Sequence, residues 1–197
     1  MNDEVGNIVV EIGAFVIAEH PVFAAQVGVL AGEWAHAEAE LSVYLASLMH
    51  TSPERTFALL AAYNNATSTT KAAINLAKVT LSGDPLANFE TIVARFRKLA
   101  ERRNDIQHGI WARKPAQNSN LFRVKPVEYT KFMIAVSHSK DLISEANQFA
   151  SQLDDEYSVE ALETISKDIR QLTADLCAAR FDWLNSGVRA KTVHGKF

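Results

Sequence analysis

The chain carries one cysteine, Cys177, among 197 residues. A lone thiol excludes an intramolecular disulfide and a cysteine-rich metal site, and it fits a reducing compartment. Proline is scarce too. The five prolines, Pro21, Pro53, Pro85, Pro115 and Pro126, fall where helical patterns break. No apolar run approaches the roughly 18 residues that a membrane-spanning helix needs. The longest apolar stretch, Gly13 to Ala35, is interrupted by Glu19-His20-Pro21 and by Gln26. The opening residues Met1-Asn2-Asp3-Glu4 are acidic and lack a positive n-region, so a signal peptide is not expected. A cytoplasmic protein without membrane partners is the expectation.

Sequence signatures of common catalytic sites are missing as well. There is no Gly-rich phosphate loop, no Gly-x-Ser-x-Gly and no His-Glu-x-x-His. Glu33-Trp34-Ala35-His36 is a single Glu-x-x-His, whereas a carboxylate-bridged di-metal bundle needs two of these and two further glutamates. His36 also faces away from the Trp34 stripe. Neither a metal nor a cofactor is expected. His20, His50, His138 and His194 have no partners that the sequence identifies.

What is present is a strongly apolar chain with uneven charge. Apolar residues make up 48%, which argues against disorder. The formal net charge of −3 argues against a broad nucleic-acid-binding surface. Between Arg95 and Lys114, however, seven basic residues meet only Glu101 and Asp105, so this segment is +5 and the remainder is −8. A local basic patch on an acidic body suits a small anionic target such as one phosphate; a solvated helix face is the ordinary alternative.

Apolar residues recur every three to four positions almost throughout, the period of amphipathic helices. Helices are expected from about residue 3 to 18, from 22 to 49, from Ser52-Pro53 through Tyr63, from 68 to 81 and from 85 to 108. Ser52 reads as an N-cap, Gly83 as a stop and Asp84-Pro85 as the next start. Ile110-Trp111-Ala112-Arg113 and Leu121-Phe122-Arg123-Val124 flank a turn-rich loop and read as a short β-hairpin. Two long helices, about 127 to 153 and 158 to 183, follow a heptad and are expected to form an antiparallel hairpin or a dimer seam. The tail from Gly187 reads as frayed and basic. The fold class is therefore all-α, a helical bundle with a small β-hairpin after the long fifth helix and a C-terminal long-helix hairpin. One domain is expected over 1–197, with its core at about 22–124 and the hairpin at about 127–184.

One helix breaks its own pattern. At about 100° per residue, Phe89, Ile92, Val93, Phe96, Leu99, Ala100 and Ile106 share one sector. Arg103 falls inside that sector with Gln107 beside it, and Asn104 and His108, four apart, stack on its edge. An arginine there needs an anionic partner or a cleft. Glu38, beside the Trp34 and Leu45 stripe, is a candidate for a structural ion pair with it. His108 precedes Gly109 at the helix C-terminus, where the exposed carbonyls favour an imidazolium. A histidine titrating near neutrality can take and give a proton. A lone histidine at a helix end is ordinarily a cap, so the functional reading rests on Arg103, Asn104 and His108 together.

The run Arg103-Asn104-Asp105-Ile106-Gln107-His108 resembles the signature of HEPN domains, an arginine followed by a polar residue with a histidine four to six positions on. The following Gly109-Ile110-Trp111 and the upstream helix with Trp34 and Glu38 are similar to HEPN-like bacterial proteins. The resemblance spans about residues 22 to 124. It implies a helical bundle that pairs with a second copy, and in active members a metal-independent endoribonuclease leaving a 2′,3′-cyclic phosphate. On that pattern His108 would handle the proton of the ribose 2′-OH or of the leaving oxygen, Arg103 would hold the phosphate and Asn104 would orient either group. Arg102, Gln107, Arg113, Lys114 and Trp111 would contact the RNA. Trp111 and Phe122 can stack bases, although packing the hairpin onto the helices is the commoner role. The resemblance further implies a toxin or phage-defence role, with an antitoxin or nucleotidyltransferase partner. Other relatives are inactive binding or dimerisation modules. Arg103 and His108 lie about 140° apart on an ideal helix, so a homodimer presenting two copies to one cleft is expected.

Overall fold

The structure, a computed structural model, describes residues 10–63, 66–115 and 120–186. In chain order these form β1 (Glu11–Ile12), α1 (Ala14–Ala18), α2 (Pro21–Leu48), α3 (Pro53–Leu60), α4 (Ala66–Thr80), α5 (Gly83–His108), β2 (Ile110–Arg113), β3 (Leu121–Val124), α6 (Pro126–His138), α7 (Leu142–Gln152), β4 (Glu156–Tyr157) and α8 (Val159–Asn185). The chain is mostly helical with one small antiparallel sheet, as the sequence leads one to expect. No helix among the described residues is long and apolar enough to cross a membrane. The early part of the expected first helix, most of the loop after Lys114 and the tail from Gly187 lie outside the described residues.

Local chemistry sets most boundaries. Ser52 caps α3 by accepting from the Arg55 amide at 3.4 Å, with Pro53 in the first turn. Gly83 adopts φ +60°, a left-handed conformation that favours glycine, where α4 has ended and α5 begins. Ser158 caps α8, accepting from the Ala161 amide at 3.1 Å.

Three expectations need correction. The first helix gives way to the two-residue strand β1 and the short α1. The hairpin β2–β3 forms as read, but β1 pairs with β2 and β4 with β3, making a four-stranded sheet in the order β1-β2-β3-β4. The helix expected from 127 to 153 is two helices. Ser139 is extended, Asp141 caps α7 by accepting from the Ser144 amide at 2.9 Å, and the Asp141 amide donates to the Ser139 hydroxyl at 3.1 Å. Short polar side chains that bind nearby backbone groups compete with helical hydrogen bonds, and here they win.

The contact pattern divides the chain into two compact units, 1–31 with 103–166, and 32–102 with 167–197. In the first, one face of the sheet (Ala112, Phe122, Val124) packs with Phe132 of α6, with Ala146 and Phe149 of α7 and with Leu153 just after it. The Phe132 and Phe149 rings stack with centroids 4.2 Å apart. On the opposite face Trp111 meets Phe23 at 4.9 Å and Tyr157 at 5.6 Å, both edge-on. In the second unit α2, α5 and α8 bury Trp34, Leu41, Tyr44, Phe89, Phe96, Leu172 and Leu176. Trp34 packs on Phe96 at 4.6 Å and Tyr44 on Phe89 at 5.2 Å. Burying each such side chain contributes about 2 kcal/mol, so these stripes dominate the unit's stability.

Candidate functional site

The last six residues of α5 lie in the first unit, with the sheet. At about 100° per residue they occupy distinct directions around the helix. Ile106 is buried and anchors one side. Asp105 is held on another by Arg123 of β3, whose Nη1 lies 2.7 Å from Asp105 Oδ1. The same guanidinium reaches Asp155, with Nη2 2.5 Å and Nε 2.6 Å from Oδ2. Its side chain is only 9% exposed, so the cation stands between two carboxylates and is largely shielded from water. Burial opposes the charge on Arg123, and the hydrogen bond and attraction from Asp155, with help from Asp105, more than reverse this and push its pKa up.

Gly109 makes this clasp possible. A Cβ at this position would meet Arg123 Cγ at 2.5 Å and the Asp105 carbonyl oxygen at 2.9 Å. The arginine side chain therefore passes directly over the residue that joins α5 to β2.

With Ile106 and Asp105 committed, the remaining directions form one polar arc. Around the helix it runs Arg103, Gln107, Asn104, His108 and covers about 140°. Arg103 and Gln107 are half-buried, and Asn104 and His108 are exposed. Arg103 Nη1 donates to Asn104 Oδ1 at 2.8 Å, and the Asn104 amide nitrogen keeps its two N–H donors for other partners. The His108 imidazole has no hydrogen-bond partner among the described residues. Arg102 is exposed one position before the arc.

Three other residues expected at the site, Arg113, Lys114 and Trp111, make internal contacts. Arg113 forms an ion pair with Glu11 directly across the β1–β2 ladder, and a second with Glu19 at 2.7 Å. Its Nη1 also lies 3.4 Å from His20 Nε2. The hydrogen bond to Glu11 is the main cause holding the Arg113 pKa above its ordinary value. Lys114 donates to the Leu153 carbonyl at 3.2 Å and lies 4.4 Å from the Phe122 ring centroid. Trp111 is 5% exposed between Phe23 and Tyr157, so packing, the commoner role, is the one it plays. Glu38 lies in the second unit, is exposed, and forms no ion pair among the described residues.

Arg123 and Asp155 are the positioning residues that sequence reading missed. The available signal was a single charge inside the apolar strand Leu121-Phe122-Arg123-Val124, with the acidic pair Asp154-Asp155 shortly before β4. Among the described residues no group of three His, Cys, Asp or Glu side chains is arranged to hold a metal ion. No protein-family model matches this chain, and neither does any curated protein or solved structure compared with it.

Proposed function

We propose that this protein is a metal-independent endoribonuclease of HEPN-like type, working as a homodimer in toxin or phage-defence activity. The observation that carries the reading is the polar arc at the end of α5. Arg103, Asn104 and His108 share one polar side, half-buried at Arg103 and exposed at the other two, of a helix end that Arg123 ties to the sheet.

The chemistry follows from the groups. The ribose 2′-oxygen attacks the adjacent phosphorus, the 2′-O–P bond forms and the P–O5′ bond breaks. A 2′,3′-cyclic phosphate and a free 5′-hydroxyl result. A neutral His108 accepts the 2′-OH proton, or a protonated one delivers a proton to the departing O5′. Arg103 neutralises the charge that grows on the phosphoryl oxygens, a task for a preorganised donor. Asn104 fixes the Arg103 guanidinium through its carbonyl oxygen and offers its amide to the phosphate. One histidine cannot act as base and acid in the same step, so two copies across a two-fold axis supply both.

The test is cleavage of a mixed RNA substrate by purified protein. His108→Ala and Arg103→Ala are expected to lose about 10²- to 10⁴-fold in rate with unchanged melting temperature. Cells expressing wild type should grow poorly and those expressing His108→Ala normally. Equal behaviour of wild type and His108→Ala on RNA refutes the catalytic reading.

A second reading has an observation of its own. Arg113 and Trp111 are both committed to internal contacts, which leaves fewer groups to hold an RNA strand. That favours a non-catalytic binding or dimerisation module whose partner, an antitoxin or nucleotidyltransferase, docks on the arc. On this reading His108→Ala weakens partner binding and no cleavage is detected.

A further inference from the structure

The second unit holds a cavity of about 400 Å³ that has no part in the motif chemistry. Tyr44 of α2, Asp84 and Asn88 at the start of α5, and Asp182 and Trp183 near the end of α8 line it. Its size lies in the range of small-molecule sites.

Three observations define what it would take. First, its charge has one sign. Asp84 and Asp182 line it, and no lysine, arginine or histidine does. Second, much of the wall is apolar, and it includes the Trp183 side chain, itself only 9% exposed. Third, Tyr44 is 1% exposed, yet its hydroxyl has no hydrogen-bond partner among the described residues. A buried phenol ordinarily finds a partner, and this one lines a cavity where a ligand atom can be that partner. Burial, and secondarily the negative charge of Asp182, push its pKa up to about 12, so it stays a neutral donor and acceptor.

We propose that this cavity binds a small organic cation, an amine whose charged nitrogen is held by Asp84 and Asp182 and whose apolar body packs against Trp183, with Tyr44 supplying a hydrogen bond. A bare metal ion fits less well. The described residues bring no third carboxylate, histidine or thiol to the two aspartates, and the apolar wall would be wasted on an ion. An anion is disfavoured by both carboxylates.

The inference does not rest on the nuclease reading and is tested separately. The full chain is titrated by calorimetry with 2-phenylethylammonium and with benzyltrimethylammonium. Neutral 2-phenylethanol and anionic 3-phenylpropionate serve as shape-matched controls. Saturable binding of at least one cation is expected, with the alcohol weaker by roughly tenfold, the factor that one charged contact typically supplies. Asp182→Asn and Asp84→Asn, both at exposed positions, should each weaken the cation several-fold and leave the melting temperature unchanged. Tyr44→Phe, which removes one oxygen atom, should weaken the primary amine more than the quaternary one. The proposal is overturned if neither cation saturates below about 10 mM, if the alcohol binds as tightly as the cations, or if both aspartate variants bind like wild type.

Discussion

At Gly109 the side chain of Arg123 lies where a Cβ would have to be. Gly109→Ala must displace either the aliphatic stem of that arginine or the end of α5, so it is expected to destabilise the protein by about 1–3 kcal/mol, the usual range for overpacking. Arg123→Ala removes the cation shared by Asp105 and Asp155. A loss of about 2 kcal/mol is expected, below the range for fully buried pairs because the Asp105 side chain is 54% exposed. The two changes interact. With Arg123 gone, much of the collision at 109 disappears, so the double variant should be less destabilised than the two single losses together. Denaturant unfolding of the four proteins measures this, and strict additivity would mean that the contact is unimportant. At this scale the arc itself was legible in the sequence. Arg103, Asn104 and His108 stand out because polar residues interrupt an apolar stripe. The clasp was not legible, because its three charges come from positions 105, 123 and 155, whose proximity depends on strand pairing.

The helices show where periodic patterns succeed and where they mislead. For α2, α4, α5 and α8 the apolar repeat gave bounds within about two residues, since each buries one continuous face. The hairpin strands were legible for a different reason, two short apolar runs separated by a turn-rich segment. The partners β1 and β4 were not, because each has only two residues and is defined by its neighbour rather than by its own composition. The heptad from 127 to 153 carried through the break because Phe132 and Val136 before Ser139, and Ile143 and Ala146 after it, keep one helical spacing. Asp141→Ala removes the cap of α7 and should cost about 1 kcal/mol, read as a lower urea midpoint. If Asp141 were instead a plain surface residue, the midpoint would not move.

Over the whole chain, two ionisable groups give opposite pH limits. Burial alone would raise the Asp175 pKa, but hydrogen bonds from Arg95 and Gln171, together with the Arg95 charge, hold it below the ordinary 3.8. Its folded state therefore favours the anion, and the stability it contributes is present above pH 3.8 and lost as pH falls through the lower folded value. Asp175→Asn should narrow its stability deficit against wild type as pH drops through that window, measured by urea unfolding. Tyr44 acts at the other limit. Its phenol shifts from 10.0 to about 12, so its contribution is intact below pH 10.0 and disappears as pH rises to about 12. Tyr44→Phe should remove that alkaline loss. The clasp at Gly109 also has a kinetic consequence. Helix termini ordinarily fray and swap their amide protons with solvent before the rest of the domain opens. Because Arg123 joins the end of α5 to β3 through Asp105, the amides of Ile106 to His108 should take up deuterium together with those of β2 and β3. In Arg123→Ala the two sets should separate, the helix end labelling first.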